Sequence, residues 1–176
     1  MKIIEPSATI IEDELSWLRA YKRIDKCASI CYQRPEKVSE GEAIEFCQKI
    51  LDNKHDATLE MFRINLLVTQ QQAECLATEK YITISKQVKN GMVIASGSIR
   101  AWMESTYISE ITNLLHSHFP LFFKFEYDIT PWEDIQFIHA SDVPIEHQHV
   151  AVHFIINRIV SHQLIRHRPC AFLQES

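Results

Sequence analysis

Apolar residues recur along the first part of the chain at three- and four-residue steps. Leu15, Leu18, Tyr21, Ile24, Ala28 and Cys31 mark one face of a helix predicted from 13 to about 31, which stops near Arg34-Pro35. Ser39 followed by Glu42 is a capping-box pattern, and Ala43, Phe46, Cys47, Ile50 and Leu51 give a second helix its apolar face. Asp52-Asn53-Lys54 ends it. The period then changes: 62–68 reads as a strand, and so does 81–88, where Ile82 and Ile84 alternate with Thr83 and Ser85. Asn90-Gly91 supplies the positive-φ pair of a tight hairpin, with 92–96 as the return strand.

Ile99, Trp102, Ile108, Ile111, Leu114 and Leu115 predict one long helix ending around His116. The stretch 119–129 is apolar and aromatic, a strand or a packing loop. Beyond it, 150–155 reads as a strand and 157 to about 168 as a helix capped by Asn157. At 3.6 residues per turn, Ile156, Ile159, Val160, Gln163 and His167 share one face of that helix, flanked by Arg166. Its last turn therefore places an amide and an imidazole where core residues are expected. Polar groups at such positions cost free energy unless the protein or a ligand bonds them.

Bulk properties narrow the function classes. A chain of 176 residues with 46% hydrophobic content has the size and apolar content of one domain. Its net charge of −5 argues against a general nucleic-acid or membrane-surface binder, so any anion site must be local. Five cysteines in no metal-ligand pairing, and an N-terminus without the apolar stretch of a signal peptide, predict a reduced, cytoplasmic protein. No apolar run reaches the length that spans a bilayer.

Candidate chemistry concentrates at the end of the chain. Arg166-His167-Arg168 sets two guanidinium forks around an imidazole, a match for phosphate or carboxylate in two-point contact. Alone, that triplet reads better as a solvated basic helix end favoured by the helix dipole. With Ser161-His162-Gln163-Leu164-Ile165 before it and Gln174-Glu175-Ser176 after it, the stretch resembles the signature of the flavin-dependent thymidylate synthases. A second block resembles that family's opening helices: Cys27-Ala28-Ser29-Ile30-Cys31-Tyr32, Lys37-Val38-Ser39-Glu40-Gly41 and His55-Asp56-Ala57-Thr58-Leu59-Glu60. There Lys54 stands for a glycine, Ala57 for a hydroxyl residue and Met61 for a histidine of the family pattern. Inside the signature, Pro169, Cys170, Ala171 and Leu173 also depart from the usual residues.

The resemblance implies an α+β domain over 1–176, an antiparallel sheet with packed helices, with an insertion at about 62–144 relative to compact members. It implies that FAD is contacted by His55, Arg166, His167, Arg168 and Gln174. The dUMP site is bordered by Gln163 and Arg166 and lined by Gln174, Glu175 and Ser176. The implied reaction is reductive methylation of dUMP to dTMP, with NADPH and methylenetetrahydrofolate as co-substrates, in a homotetramer. The family's ring-activating arginine follows the signature, so the catalytic residue is expected beyond Ser176 and the 176-residue chain is expected to be inactive alone. Ser98-Ile99-Arg100 is similar to the family's Asn-x-Arg triplet, which makes Arg100 a further candidate.

Two other readings compete. One is a non-catalytic flavin- or nucleotide-binding protein. The other is a histidine-ligated metal enzyme, since His147, His149 and His153 have one parity on a predicted strand, with Glu146 beside them. An exposed strand face is the simpler account of those histidines, and no metal is expected. Cys170 reads as a small apolar residue rather than a nucleophile, and Ser176, without a visible base, as a hydrogen-bonding contact.

Overall fold

The computed structural model describes residues 5–11, 20–35, 39–166 and 170–174. They form an α+β arrangement of antiparallel sheets and packed helices. In chain order the elements are β1 (Ser7–Ile11), α1 (Ala20–Cys31), α2 (Glu40–Asp52), β2 (Arg63–Thr69), α3 (Gln70–Leu76), β3 (Thr83–Lys89) and β4 (Met92–Ser98). Then come α4 (Ile99–Met103), α5 (Ile108–His118), β5 (Gln136–Phe137), β6 (Ala151–Ile155) and α6 (Arg158–Leu164). Short 3-10 turns occupy Asp56–Met61, Ala140–Asp142 and Ile145–His147.

The hairpin and caps form where local chemistry predicts them. Asn90 (φ 52°) and Gly91 (φ 78°) take the paired left-handed conformations of the turn between β3 and β4. Ser39 Oγ accepts from Glu42 N at 3.2 Å while the Glu42 carboxylate accepts from Ser39 N at 3.1 Å, closing the capping box of α2. Asn157 Oδ1 accepts from Val160 N at 3.0 Å and starts α6.

β2 lies at the centre of the main sheet, whose order is β3-β4-β2-β5. Alternation along β2 sends Ile64, Leu66 and Val68 into the principal core, joined by Val93 and Ala95 of β4. Helices α1 and α2 contribute Ile24, Ala28, Ala43, Cys47 and Ile50 to the same core, as their apolar spacing predicts. Trp102 lies at its centre, fully buried, its indole N–H donating to Ile64 O at 3.3 Å. The indole comes this close because position 97 is glycine: a Cβ there would sit 3.4 Å from Trp102 Nε1 and 3.2 Å from Ala101 Cβ. A separate two-stranded sheet joins the chain's ends, β1 pairing antiparallel with β6 from Ser7↔Ile155 to Ile11↔Ala151.

Two expectations change, one open alternative is decided and one helix is added. The single helix expected from 99 to 116 is two helices, because Glu79 intervenes. Its carboxylate accepts from Thr106 N at 2.9 Å and Thr106 Oγ1 at 2.5 Å, bonds that hold 104–107 out of helical register. The stretch 119–129 is a packing loop: Phe119, Phe122 and Phe123 are buried, and Thr112 and Asn113 of α5 donate to the carbonyls of Lys124 and Glu126, both at 2.8 Å. α3 was not expected, although Thr69 and Gln72 form a second capping box. The helix expected from 157 to about 168 ends at Leu164, and none of its residues is buried. Its apolar stripe faces outward, with Ile159 77% and Val160 42% exposed.

Candidate functional site

Two of the proposed residues, His55 and Gln174, meet the end of α1. On one side, Tyr32 follows the helix and its hydroxyl is hydrogen-bonded to His55 Nδ1; the two rings stack at 6.0 Å with planes 21° apart. His55 is held there by the 3-10 turn after it, in which Thr58 Oγ1 donates to His55 O at 2.9 Å. On the other side, Cys31 Sγ donates to Gln174 O at 3.0 Å, and Gln174 Nε2 donates to Ser161 Oγ of α6 at 3.2 Å. Gln174 thus bridges α1 and α6. One turn earlier, Cys27 packs with Met61, Ala151, Ile11 and Leu173, so residues 173 and 174 run along α1. Cys27 and Cys31, four apart, share the helix face that receives this segment.

Arg34 completes that end of α1. Its Nη2 reaches Asp25 Oδ1 at 2.5 Å, and its guanidinium sits 3.7 Å from the centroid of Phe46. This cation is structural: it ties the end of α1 to α2. The thiol of Cys47 in the same core is pushed up to about 12, chiefly by burial and then by the Asp25 charge, and is therefore inert as a nucleophile.

Gln163 and Arg166 are exposed at the end of α6, and Arg166 N donates to Gln163 O at 3.2 Å. Among the described residues no carboxylate pairs with Arg166. His167, Arg168, Glu175 and Ser176 lie outside the described residues. Arg100 is engaged elsewhere: its Nη1 meets Glu60 Oε1 at 2.9 Å and its Nε meets Glu104 Oε1 at 2.8 Å. Glu104 first, with Glu60 adding to it, raises its pKa, so the side chain is a permanent cation fixed beside the segment that carries His55.

The histidines do not share a strand. His147 closes a 3-10 turn and is fully buried, His149 lies in the following loop, and His153 alone is on β6, opposite Thr9. The parity argument fails because β6 begins only at Ala151, leaving two of the three without the alternation of a strand. Among the described residues no group of three potential ligands could hold a metal ion.

Sequence reasoning overlooked a buried polar group on the second face of the main sheet. Arg63 Nη2 donates to Thr83 Oγ1 at 2.6 Å and to Ser96 Oγ at 2.9 Å, and Ser96 Oγ is 2.6 Å from His147 Nδ1. The alternation of β2 already places Arg63 and Asn65 on one face, which was the available signal. What covers that face comes from a loop some eighty residues later. No family model, curated protein or solved structure matches the chain.

Proposed function

We propose that this chain binds FAD and dUMP at the junction of α1, the His55 turn and the end of α6, as a flavin-dependent thymidylate synthase. The observation that supports this most directly is the contact of Cys31 with Gln174. It joins two segments, each of which resembles that family, across a separation of 143 positions in the chain.

The residues at the junction fit such ligands chemically. Arg166, exposed and without a carboxylate partner among the described residues, offers a planar fork to a phosphate. Gln163, one turn before it, offers an amide that can both donate and accept. The stacked Tyr32 and His55 rings present aromatic surface with polar edges. When bound, the flavin would supply the hydride chemistry, and the chain's part is to bind and orient. In this reading Gln174 sets the distance between α1 and α6, Arg166 fixes a phosphate, and the Tyr32 hydroxyl holds His55 in one orientation. The ring-activating residue is unassigned.

Homo-oligomerisation belongs to the same proposal. Val152, Phe154, Ile155, Ile159, Val160 and Ile165 are exposed on neighbouring stretches of β6 and the α6 region, an apolar surface of the kind that interfaces cover. No helix among the described residues is long and apolar enough to cross a membrane.

The deciding experiment is titration of the purified chain with FAD, with and without dUMP. Quenching of flavin fluorescence and a saturable rise in melting temperature are expected, since a ligand at a hundred times its Kd adds about 2.7 kcal/mol to folding stability. If saturating FAD and dUMP neither bind nor stabilise the chain, the assignment is wrong.

A further inference from the structure

The second face of the main sheet carries a cationic site separate from the α1–α6 junction. Arg63 and Asn65 project there from β2, and Ser96 of β4 is the direct cross-strand partner of Asn65. His147 closes over them from the turn at Ile145–His147. The Arg63 guanidinium is bonded only to neutral oxygens, those of Thr83 and Ser96. Among the described residues no carboxylate pairs with it. A partly buried cation without a counter-charge retains its desolvation cost.

Two side chains more than nine-tenths buried carry polar atoms that nothing in the fold bonds: Asn65 Oδ1 and His147 Nε2. Arg63 Nε is a third such atom. Their roles follow from the network. The Ser96 hydroxyl accepts from Arg63, which can only donate, and it keeps a second lone pair and its own proton, with which it either accepts from His147 Nδ1 or donates to it. Burial first, and then the Arg63 charge, lowers the His147 pKa and favours the neutral ring, whose hydrogen is on Nε2 when Ser96 donates to Nδ1. In that tautomer the open valences are two donors, Arg63 Nε–H and His147 Nε2–H, and one acceptor, Asn65 Oδ1.

We propose that Arg63, Asn65, Ser96 and His147 form a binding site for a single protonated oxyanion of the phosphate class. Such an ion brings what the side chains lack: a negative charge for Arg63, acceptor oxygens for the two N–H groups, and a hydroxyl for Asn65. A sulfate ion or a carboxylate, fully ionised at neutral pH, brings the charge and the acceptors but no hydroxyl, and would set its oxygen against the Asn65 carbonyl. The site thus selects by protonation as well as by charge.

The test uses the full chain labelled with 15N-histidine in phosphate-free buffer at neutral pH. Inorganic phosphate should move the His147 Nε2 resonance saturably, with sulfate at least tenfold weaker. The Arg166→Gln variant should leave that response intact, which separates this site from the nucleotide phosphate site proposed above and makes failure of one reading distinguishable from failure of the other. Asn65→Asp should abolish the response by placing a carboxylate against the anion. The wild-type titration decides the matter even if that variant does not fold. Absence of a saturable shift at His147, as a buried water in place of the anion would give, overturns the proposal. Equal responses to sulfate and phosphate also overturn it.

Discussion

Cys31 Sγ donates to the carbonyl oxygen of Gln174 at 3.0 Å, tying the last described segment of the chain to the end of its first described helix. A bulky Cys31→Phe side chain would push residues 171–174 away from α1 and pull Gln174 off Ser161. Because the lost bonds are individually weak, the cost in folding stability should be about 1 kcal/mol or less. FAD affinity should fall by a larger factor. Paired urea melts and fluorescence titrations check this, and a variant that binds FAD as well as wild type removes Gln174 from the site.

Arg166→Lys keeps the charge but loses the planar fork. Ligand binding should weaken by roughly tenfold, about 1.4 kcal/mol, while Lys124→Ala, on the loop after α5, leaves it unchanged. Isothermal titration with dUMP and FAD compares the two. Equal effects would reduce the role of Arg166 to general electrostatics.

Trp102→Ala removes the largest fully buried side chain from the principal core and strips Ile64 O of its indole donor. A loss of about 3–5 kcal/mol is expected from the cavity and the transfer term together. Gly97→Ala should also destabilise, by about 1–3 kcal/mol, because its methyl group would press on Ala101 and the indole edge. Chemical denaturation of both variants measures the effects.

Acid should unfold the chain through its neutral histidines. Burial, and then the Arg23 and Arg63 guanidiniums beside it, push the His149 imidazole down to about 4, against about 6.5 in an unfolded chain. Between those values the unfolded state binds more protons than the folded one, so stability falls as pH drops, by up to about 1.4 kcal/mol per unit for this group. His147 is shifted the same way. Urea melts between pH 4 and 7 should show the slope, and His149→Gln should make it shallower; an unchanged slope places the proton uptake elsewhere.

The elements legible in the sequence are those whose cause lies within a few residues. Ser39 with Glu42, Asn157 with Val160 and Asn90-Gly91 complete their bonds or their backbone conformation inside one turn, so spacing alone identifies them. The apolar faces of α1 and α2 were readable for the same reason, since a helix repeats its core-facing positions regardless of its partner. α3 had such a signal too, Thr69 with Gln72, but in a helix only seven residues long it was overlooked.

Other features depended on partners far along the chain. The break between α4 and α5 is set by Glu79, 27 residues before Thr106, and the pairing of β1 with β6 joins positions as far apart as Ser7 and Ile155. The candidate site divides in the same way. The pattern of residues from 161 to 176 carried the anion-binding expectation in the sequence, while the meeting of Gln174 with Cys31, and of His55 with Tyr32, is a consequence of how the core closes. Arg63 and His147 are the clearest case. Arg63 is not notable in the sequence and His147 stood out only beside His149 and His153; the loop that folds back over the second sheet face brings the arginine, an asparagine and the histidine into one group. Burial and long-range hydrogen bonds depend on which distant segments meet, and the packed chain alone determines that.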